Sequence, residues 1–221
     1  ALIDHNGEGE ATANIQLCTA HWYGGNREQS CENTVKSVKK LLGGIQIDGY
    51  YELNMSEIPK LNNMVDGVTV TLEDDFSKKY PKMKKGATIN LDDEQAYAYV
   101  HDRYGVGNEE NTSRMKRQQQ YMTGFFKKLQ EKVKANPNYA NEVFESLQDV
   151  STTDITIGKI SNISNIFASG TDKGIFELAG KSKIGQALGD EIDHMEFYVN
   201  KKAMVSTMSE LFGIVEHNNK E

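Results

Sequence analysis

The sequence predicts an α/β domain. A strand, an amphipathic helix and a second strand follow one another between residues 45 and 72, the succession that builds a sheet covered by helices. The second strand, "VTVTL", is β-branched and alternating, which fits a pleated surface with one buried face. With 221 residues, 38% of them apolar, the chain is long enough to bury one sizeable core, and one domain is the working expectation.

Taken in order, "QSCENTVKSVKKLL" places Val35, Val38, Leu41 and Leu42 at helical spacing, and Gly43-Gly44 stops that helix. "IQIDGYYELN" reads as a strand. "MSEIPKLNNMVDG" follows as a helix with Ser56 as N-cap and Ile58, Leu61, Met64 and Val65 on one face. Residues 73–88 join an acidic run to a lysine-rich run around Pro81 with little periodicity, and read as an exposed loop. "NLDDEQAYAYVHDRY" offers Asn90 or Asp92 as cap of a helix to about Val100, and "GVGNEE" breaks it. A long helix then runs from about Asn111 to Ala135, with Met115, Met122, Phe126, Leu129 and Val133 as its apolar stripe. Beyond Pro137, "NYANEVFESLQDV" and residues 157–167 read as helices around a short extended "TDIT". "KGIFELAG" and "HMEFYV" alternate like strands, and "NKKAMVSTMSELFG" closes as a helix burying Met204, Val205, Met208, Leu211 and Phe212.

A net charge of −7 and a pI near 5.3 argue against a broadly basic nucleic-acid surface, since duplex binding rests on neutralising phosphates. No apolar run approaches the ~18 residues that span a bilayer. The P-loop, GxSxG, HExxH and CxxC patterns are absent, and the five histidines are scattered. Cys18 and Cys31 flank "TAHWYGGNREQS". They are either a disulfide, which over so short a loop stabilises by about 3 kcal/mol in the chain-entropy model, or two buried thiols.

The arginines are unevenly placed. Three of the four, Arg103, Arg114 and Arg117, fall within fifteen residues of a chain that otherwise uses lysine. The planar guanidinium fork contacts phosphate or carboxylate bidentately where lysine cannot, so the cluster points to oxyanion recognition. Two of these arginines open the long helix in "NTSRMKRQQQY", where the macrodipole favours acids. Arg114, Arg117, Gln118 and Tyr121 share one face there, beside the apolar stripe. The bland alternative is pairing with Glu109, Glu110 and Asp102, contributing roughly 0–1 kcal/mol for an exposed pair. His101 lies two residues before Arg103, and an extended segment there would turn both to one cleft. Tyr97, Tyr99, Tyr104 and Tyr121 offer aromatic surface for lipid or sugar, or for the core.

"INLDDEQAYAYVHDRYGVGNEENTSRMKRQQQYM" resembles the LytR-CpsA-Psr family, in which "L(N/D)GEQALAYVRxR" is followed after a short loop by "GRxxRQQ". "IQIDGYYELNMSEIPKLNNMVDGVTVTLEDDF" resembles the family's "IDyYvevdf…lvdalGGVtV" block, and "AHWYGG" with "TVKSVKKLLGG" resembles the block before it. Together these cover residues 20 to about 130 in the family's order.

The resemblance implies an α/β/α sandwich with a mixed central sheet, on the extracytoplasmic face of the cell membrane and tethered by one N-terminal helix. It implies a phosphotransferase that moves glycopolymers such as wall teichoic acid or capsular polysaccharide from a polyprenyl-pyrophosphate carrier to peptidoglycan. Carried over by motif, Arg103 and Arg114 are the expected catalytic residues. Arg103, Arg114, Arg117, Gln118 and His101 are the expected pyrophosphate ligands. His101 departs from the motif's arginine and removes a permanent cation, and Gln16 stands where many members carry lysine. The family's metal-binding aspartates and its "PRD" segment precede "ALIDHNG". The expectation is therefore an N-terminally truncated fragment with part of the sheet missing, with Mg2+ implied for the intact domain and homodimerisation through exposed edges as a consequence. Residues 1–150 are expected to be the C-terminal portion of the catalytic domain, and 151–221 its last α/β part or a small appended subdomain. An oxidising compartment favours a Cys18–Cys31 disulfide. The competing functions are a non-catalytic module for anionic lipid or glycopolymer, and a DNA-binding regulator, which would need a marked salt slope.

Overall fold

A computed structural model describes residues 2–3, 11–12, 16–186 and 191–213. In chain order the elements are β1 (Leu2–Ile3), β2 (Ala11–Thr12), a 3-10 helix Leu17–Tyr23, α1 (Arg27–Leu41), β3 (Tyr51–Leu53), a 3-10 turn Met55–Glu57 and α2 (Ile58–Met64). β4 (Thr69–Thr71), β5 (Thr88–Asn90), α3 (Asp93–His101), α4 (Asn111–Ala135), α5 (Tyr139–Ser146) and β6 (Ser151–Thr153) follow. α6 (Ile157–Ser169), β7 (Gly180–Gly185), β8 (His194–Val199) and α7 (Lys201–Phe212) complete the chain. The class is α/β. Among the described residues the strands form four two-stranded sheets: β1–β2, β3–β6, β4–β5 and β7–β8.

The chain divides into two compact units, and the division does not fall at residue 150. One unit is Ala1–Glu52, Thr152–Asp154 and Phe176–Glu221, and the other is Leu53–Ser151 with Ile155–Ile175. The first unit thus draws on both ends of the chain, and residues 152–154 join it because β3 takes its strand partner from β6, about a hundred residues later.

The second unit holds the apolar core. In β4 only Val70 of "TVT" points inward, and β5 pairs antiparallel with Val70 opposite Ile89. Val65, Val68, Leu72, Leu91, Tyr99 and Phe125 close around Val70. Residues 73–88 are not merely a surface loop: Phe76 and Met83 are 3% and 0% exposed, and they anchor the charged segment from below. Phe76, Tyr80 and Met83 stand at helical spacing, but the segment around Pro81 forms only turns, so no regular element marked Phe76 and Met83 as buried.

α4 also turns differently from the expected stripe. Its buried row is Arg117, Tyr121, Phe125 and Val133, with Leu129 packed between, an i+4 ridge. Met115, Met122 and Phe126 remain 49%, 42% and 44% exposed. Gly124 permits this close packing, since a Cβ there would stand 2.6 Å from Val68 Cγ1, just before β4. Phe126 instead meets Phe167 of α6 edge-on at 6.3 Å.

Asn62 is a buried polar hub that the sequence did not mark. Its Nδ2 donates to Leu91 O and Asp93 Oδ1, both at 3.0 Å, and its Oδ1 accepts from Val68 N at 3.1 Å and Tyr121 OH at 3.3 Å. Both ends of the amide are thereby satisfied, which is what makes its burial tolerable.

Several sequence expectations are corrected. Asn54, not Ser56, caps the turn before α2, its side chain accepting from Ser56 N, because a 3-10 turn precedes the α-helix. Of "KGIFELAG" only Gly180 belongs to a strand, since β7 takes its partners from β8, with Gly180 opposite Val199. In α7, Met204 and Met208 are buried while Phe212 is 63% exposed. Cys18 and Cys31 are free thiols, not a disulfide. Cys18 lies exposed with its thiol 3.7 Å from Gln16 Oε1, whereas Cys31 is buried on the inner face of α1.

Candidate functional site

α3 begins with a reciprocal capping box. Asp92 Oδ1 accepts from Gln95 N at 2.8 Å, and Gln95 Oε1 accepts from Asp92 N at 3.2 Å. The helix ends at His101, and Asp102 turns the chain to extended backbone, so His101 is itself helical and the extended backbone begins one residue later. The last carbonyls of a helix lack intrahelical partners. Here α4 supplies them: Arg117 Nε donates to Tyr99 O and Gln118 Nε2 to Val100 O, both at 2.9 Å, and Arg117 NH2 donates to Asp102 O. A cation at a helix C-terminus also opposes the dipole's negative end.

Arg117 additionally forms an ion pair with Asp74, from the segment after β4, and lies over the Phe76 ring at 5.3 Å. Its side chain is 2% exposed. Gly107, at φ +56°, makes room for Asp74, since a Cβ there would collide with its carboxylate. The expectation of an open ligand-gripping arginine is thus altered for Arg117, whose fork is occupied by the protein itself.

Arg103 and Arg114 are placed otherwise. The Arg103 guanidinium stacks 4.3 Å over the exposed Tyr104 ring and donates to its hydroxyl. Arg114 donates through NH2 to Asn111 Oδ1 at 2.7 Å. In both, Nε is shielded from solvent and has no hydrogen-bond partner. Neither arginine forms an ion pair among the described residues. The anticipated acidic partners are engaged elsewhere: Glu109 accepts from Gly105 N at 2.8 Å and Glu110 from the Thr112 hydroxyl at 3.2 Å.

The Arg117 bond to Asp102 O holds the residue just before Arg103 against α4. Arg114 lies three residues before Arg117 on that helix, a rise of about 4.5 Å. No side chain caps α4, and its first turn contains no acidic residue. Arg114, in that uncapped first turn, has an Nε without a partner, an arrangement suited to an oxyanion. His101 stacks on Tyr97 at 4.8 Å, with Nδ1 3.2 Å from Asp102 Oδ1, and Lys79 reaches the other oxygen of that carboxylate at 3.4 Å.

Tyr99 and Tyr121 belong to the core. Burial pushes the Tyr99 phenol up to about 12 and raises that of Tyr121 further. A cleft of about 500 Å³ in the same unit is lined by Asn62, Asp66, Asn90, Asp92, Asp93 and Glu94, among others. Its carboxylates suit it poorly to an anion. Sequence reasoning missed Asp74 as the partner of Arg117; the acidic "EDD" directly after a buried strand was the one available sign.

These features define an α/β protein in which Arg117 is bound internally while Arg103 and Arg114 each have an Nε without a hydrogen-bond partner. The chain belongs to the LytR_cpsA_psr family, which it matches over residues 2–212. A search of curated proteins finds no match. Among solved structures it is similar to Bacillus subtilis TagV, at 19% identity and TM-score 0.67 over 97% of this chain and 81% of that one. A transcriptional regulator from Enterococcus faecalis is similar at 20% identity and TM-score 0.68, over 98% and 75%. TagT bound to LI-WTA is similar at 19% identity and TM-score 0.62, over 95% and 73%. These likenesses bear on the fold.

Proposed function

We propose that this protein acts at the extracytoplasmic face of the cell membrane, where it binds a polyprenyl-(pyro)phosphate-linked glycopolymer and transfers the polymer to peptidoglycan. Family membership supports a role in building the cell wall, and TagT structures with LI-WTA and LIIa-WTA support a glycopolymer such as wall teichoic acid as partner. The observation that carries the reading is the unpartnered Nε of Arg114 in the uncapped first turn of α4, together with that of Arg103 in the segment leading to the helix.

In the transfer, an acceptor hydroxyl oxygen bonds to the glycopolymer-bearing phosphorus as the phosphorus–oxygen bond to polyprenyl phosphate breaks, and the hydroxyl proton leaves to solvent or to the departing polyprenyl phosphate. Negative charge grows on the bridging and leaving oxygens, and two fixed guanidinium groups stabilise it without reorganising. Arg117 and Gln118 hold the end of α3 and so position Arg103. Mg2+, which the resemblance implies, prefers oxygen ligands. The metal-ligand cluster found among the described residues, His21, Cys31 and Glu52, offers an imidazole and a thiol and does not suit it.

The test is binding of a polyprenyl phosphate to the 221-residue chain. Arg114→Ala is expected to weaken binding roughly 10- to 100-fold, the loss of a charge-assisted contact, while Lys127→Ala on the exposed side of α4 leaves it unchanged. Equal effects of the two substitutions would overturn the site. Binding without transfer to peptidoglycan would support the non-catalytic reading.

A further inference from the structure

The first unit contains a second cluster of chemistry-bearing side chains, independent of the arginine site. His21 comes from the 3-10 helix, Cys31 from the second turn of α1 and Glu52 from β3, and one ligand atom of each lies within 4.8 Å of the others. We propose that His21, Cys31 and Glu52 form a binding site for a borderline-soft divalent cation, Zn2+ in preference to Mg2+.

Three observations carry this. His21 Nε2 is shielded from solvent and has no hydrogen-bond partner, an expensive state for an imidazole nitrogen unless something else occupies it. Cys31 is 3% exposed, so its sulfur lies in a dry environment that favours inner-sphere coordination. Glu52 is anchored by Arg27 through one oxygen only: Arg27 Nε and NH2 both donate to Oε2, at 3.0 and 2.7 Å, and Oε1 stays available. The arginine thereby orients the carboxylate, as outer partners do for metal ligands.

The donor set decides the metal. Nitrogen, sulfur and oxygen from one histidine, one cysteine and one glutamate match the ligand types of three-coordinate protein sites for zinc, with a fourth position left to water. A thiolate and a carboxylate together neutralise a dication. Tetrahedral zinc at ordinary bond lengths holds such donors about 3.5 Å apart, so small side-chain rotations close the cluster without moving backbone. Without metal, burial and the neighbouring Glu52 raise the pKa of the Cys31 thiol, and the metal replaces its proton.

The experiment uses the 221-residue chain, reduced and stripped with chelator, then dialysed against Zn2+ or Co2+. The expected result is about one metal per chain, with a thiolate-to-cobalt charge-transfer band for Co2+. Cys18→Ser, which removes the other thiol, leaves both unchanged. Cys31→Ser and His21→Gln weaken binding by at least about a hundredfold, beyond the usual cost of losing an outer partner. Retention of no metal, absence of the charge-transfer band in Cys18→Ser, or native affinity in Cys31→Ser would each overturn the site. Should Cys31→Ser misfold by circular dichroism, the cobalt spectrum of Cys18→Ser decides, because Cys31 is then the sole thiol.

Discussion

Arg117 is bound at three points inside the protein, and its removal leaves several groups in difficulty at once. Asp74 would keep a charge in a site 15% exposed, and Tyr99 O and Asp102 O would lose their donor. Breaking a buried pair by deleting one member costs about 3–5 kcal/mol. Arg117→Ala is therefore expected to lower the urea midpoint strongly, with Arg117→Lys between it and the native protein because an ammonium cannot serve three acceptors in a fork. A loss below about 1 kcal/mol, the worth of an exposed pair, would show that Arg117 does not hold these segments. The contrast with Arg114 is one of placement, since both are arginines on the same face of one helix. The grouping of the arginines was legible in the sequence. Which of them the protein keeps for itself was not, because that depends on Asp74, 43 residues away and brought there by the fold with Gly107 making room for it.

At the scale of elements, caps set where helices begin. Asn26, Asp92, Thr156 and Asn200 accept from backbone N–H groups at the starts of α1, α3, α6 and α7. α4, like α2 and α5, has no such side chain. The boundaries of α3 and α4 followed closely from sequence, since a capping box and a Gly-rich break are local chemistry. The buried face of α4 did not follow, because the row through Arg117, Tyr121 and Phe125, and not its most apolar stripe, packs on the core, with Gly124 lying close to Val68. Asp92→Ala removes an exposed cap and is expected to cost about 1 kcal/mol. In a thermal melt that corresponds to a fall of roughly 2–4 °C for a protein of this size. An unchanged midpoint would show that the cap contributes nothing to stability.

For the whole molecule, the buried phenols tie stability to alkaline pH. The Tyr99 hydroxyl donates to Gln120 Oε1, and its pKa lies at about 12 in the folded protein against about 10 unfolded. A raised phenol pKa means that the unfolded chain releases its proton first. The contribution is thus complete below pH 10 and is lost as pH rises towards 12, and Tyr121 acts in the same direction. Denaturation midpoints are expected to be level from pH 8 to 9 and to fall above about pH 10, with a shallower fall in Tyr99→Phe. A flat profile to pH 11 would contradict the assigned burial. By itself the sequence determined the α/β class, the order and approximate extent of most helices, the arginine cluster and the family, because these rest on local periodicity, capping chemistry and contiguous motifs. Only the tertiary structure decided that Arg117 is internal while Arg103 and Arg114 each keep an unpartnered Nε, that Phe76 and Met83 anchor a charged segment, and that Cys31 stands with His21 and Glu52 and not with Cys18. Each of those depends on which distant segments share a core, and desolvation there, more than residue type, sets what a charged or polar side chain is free to do.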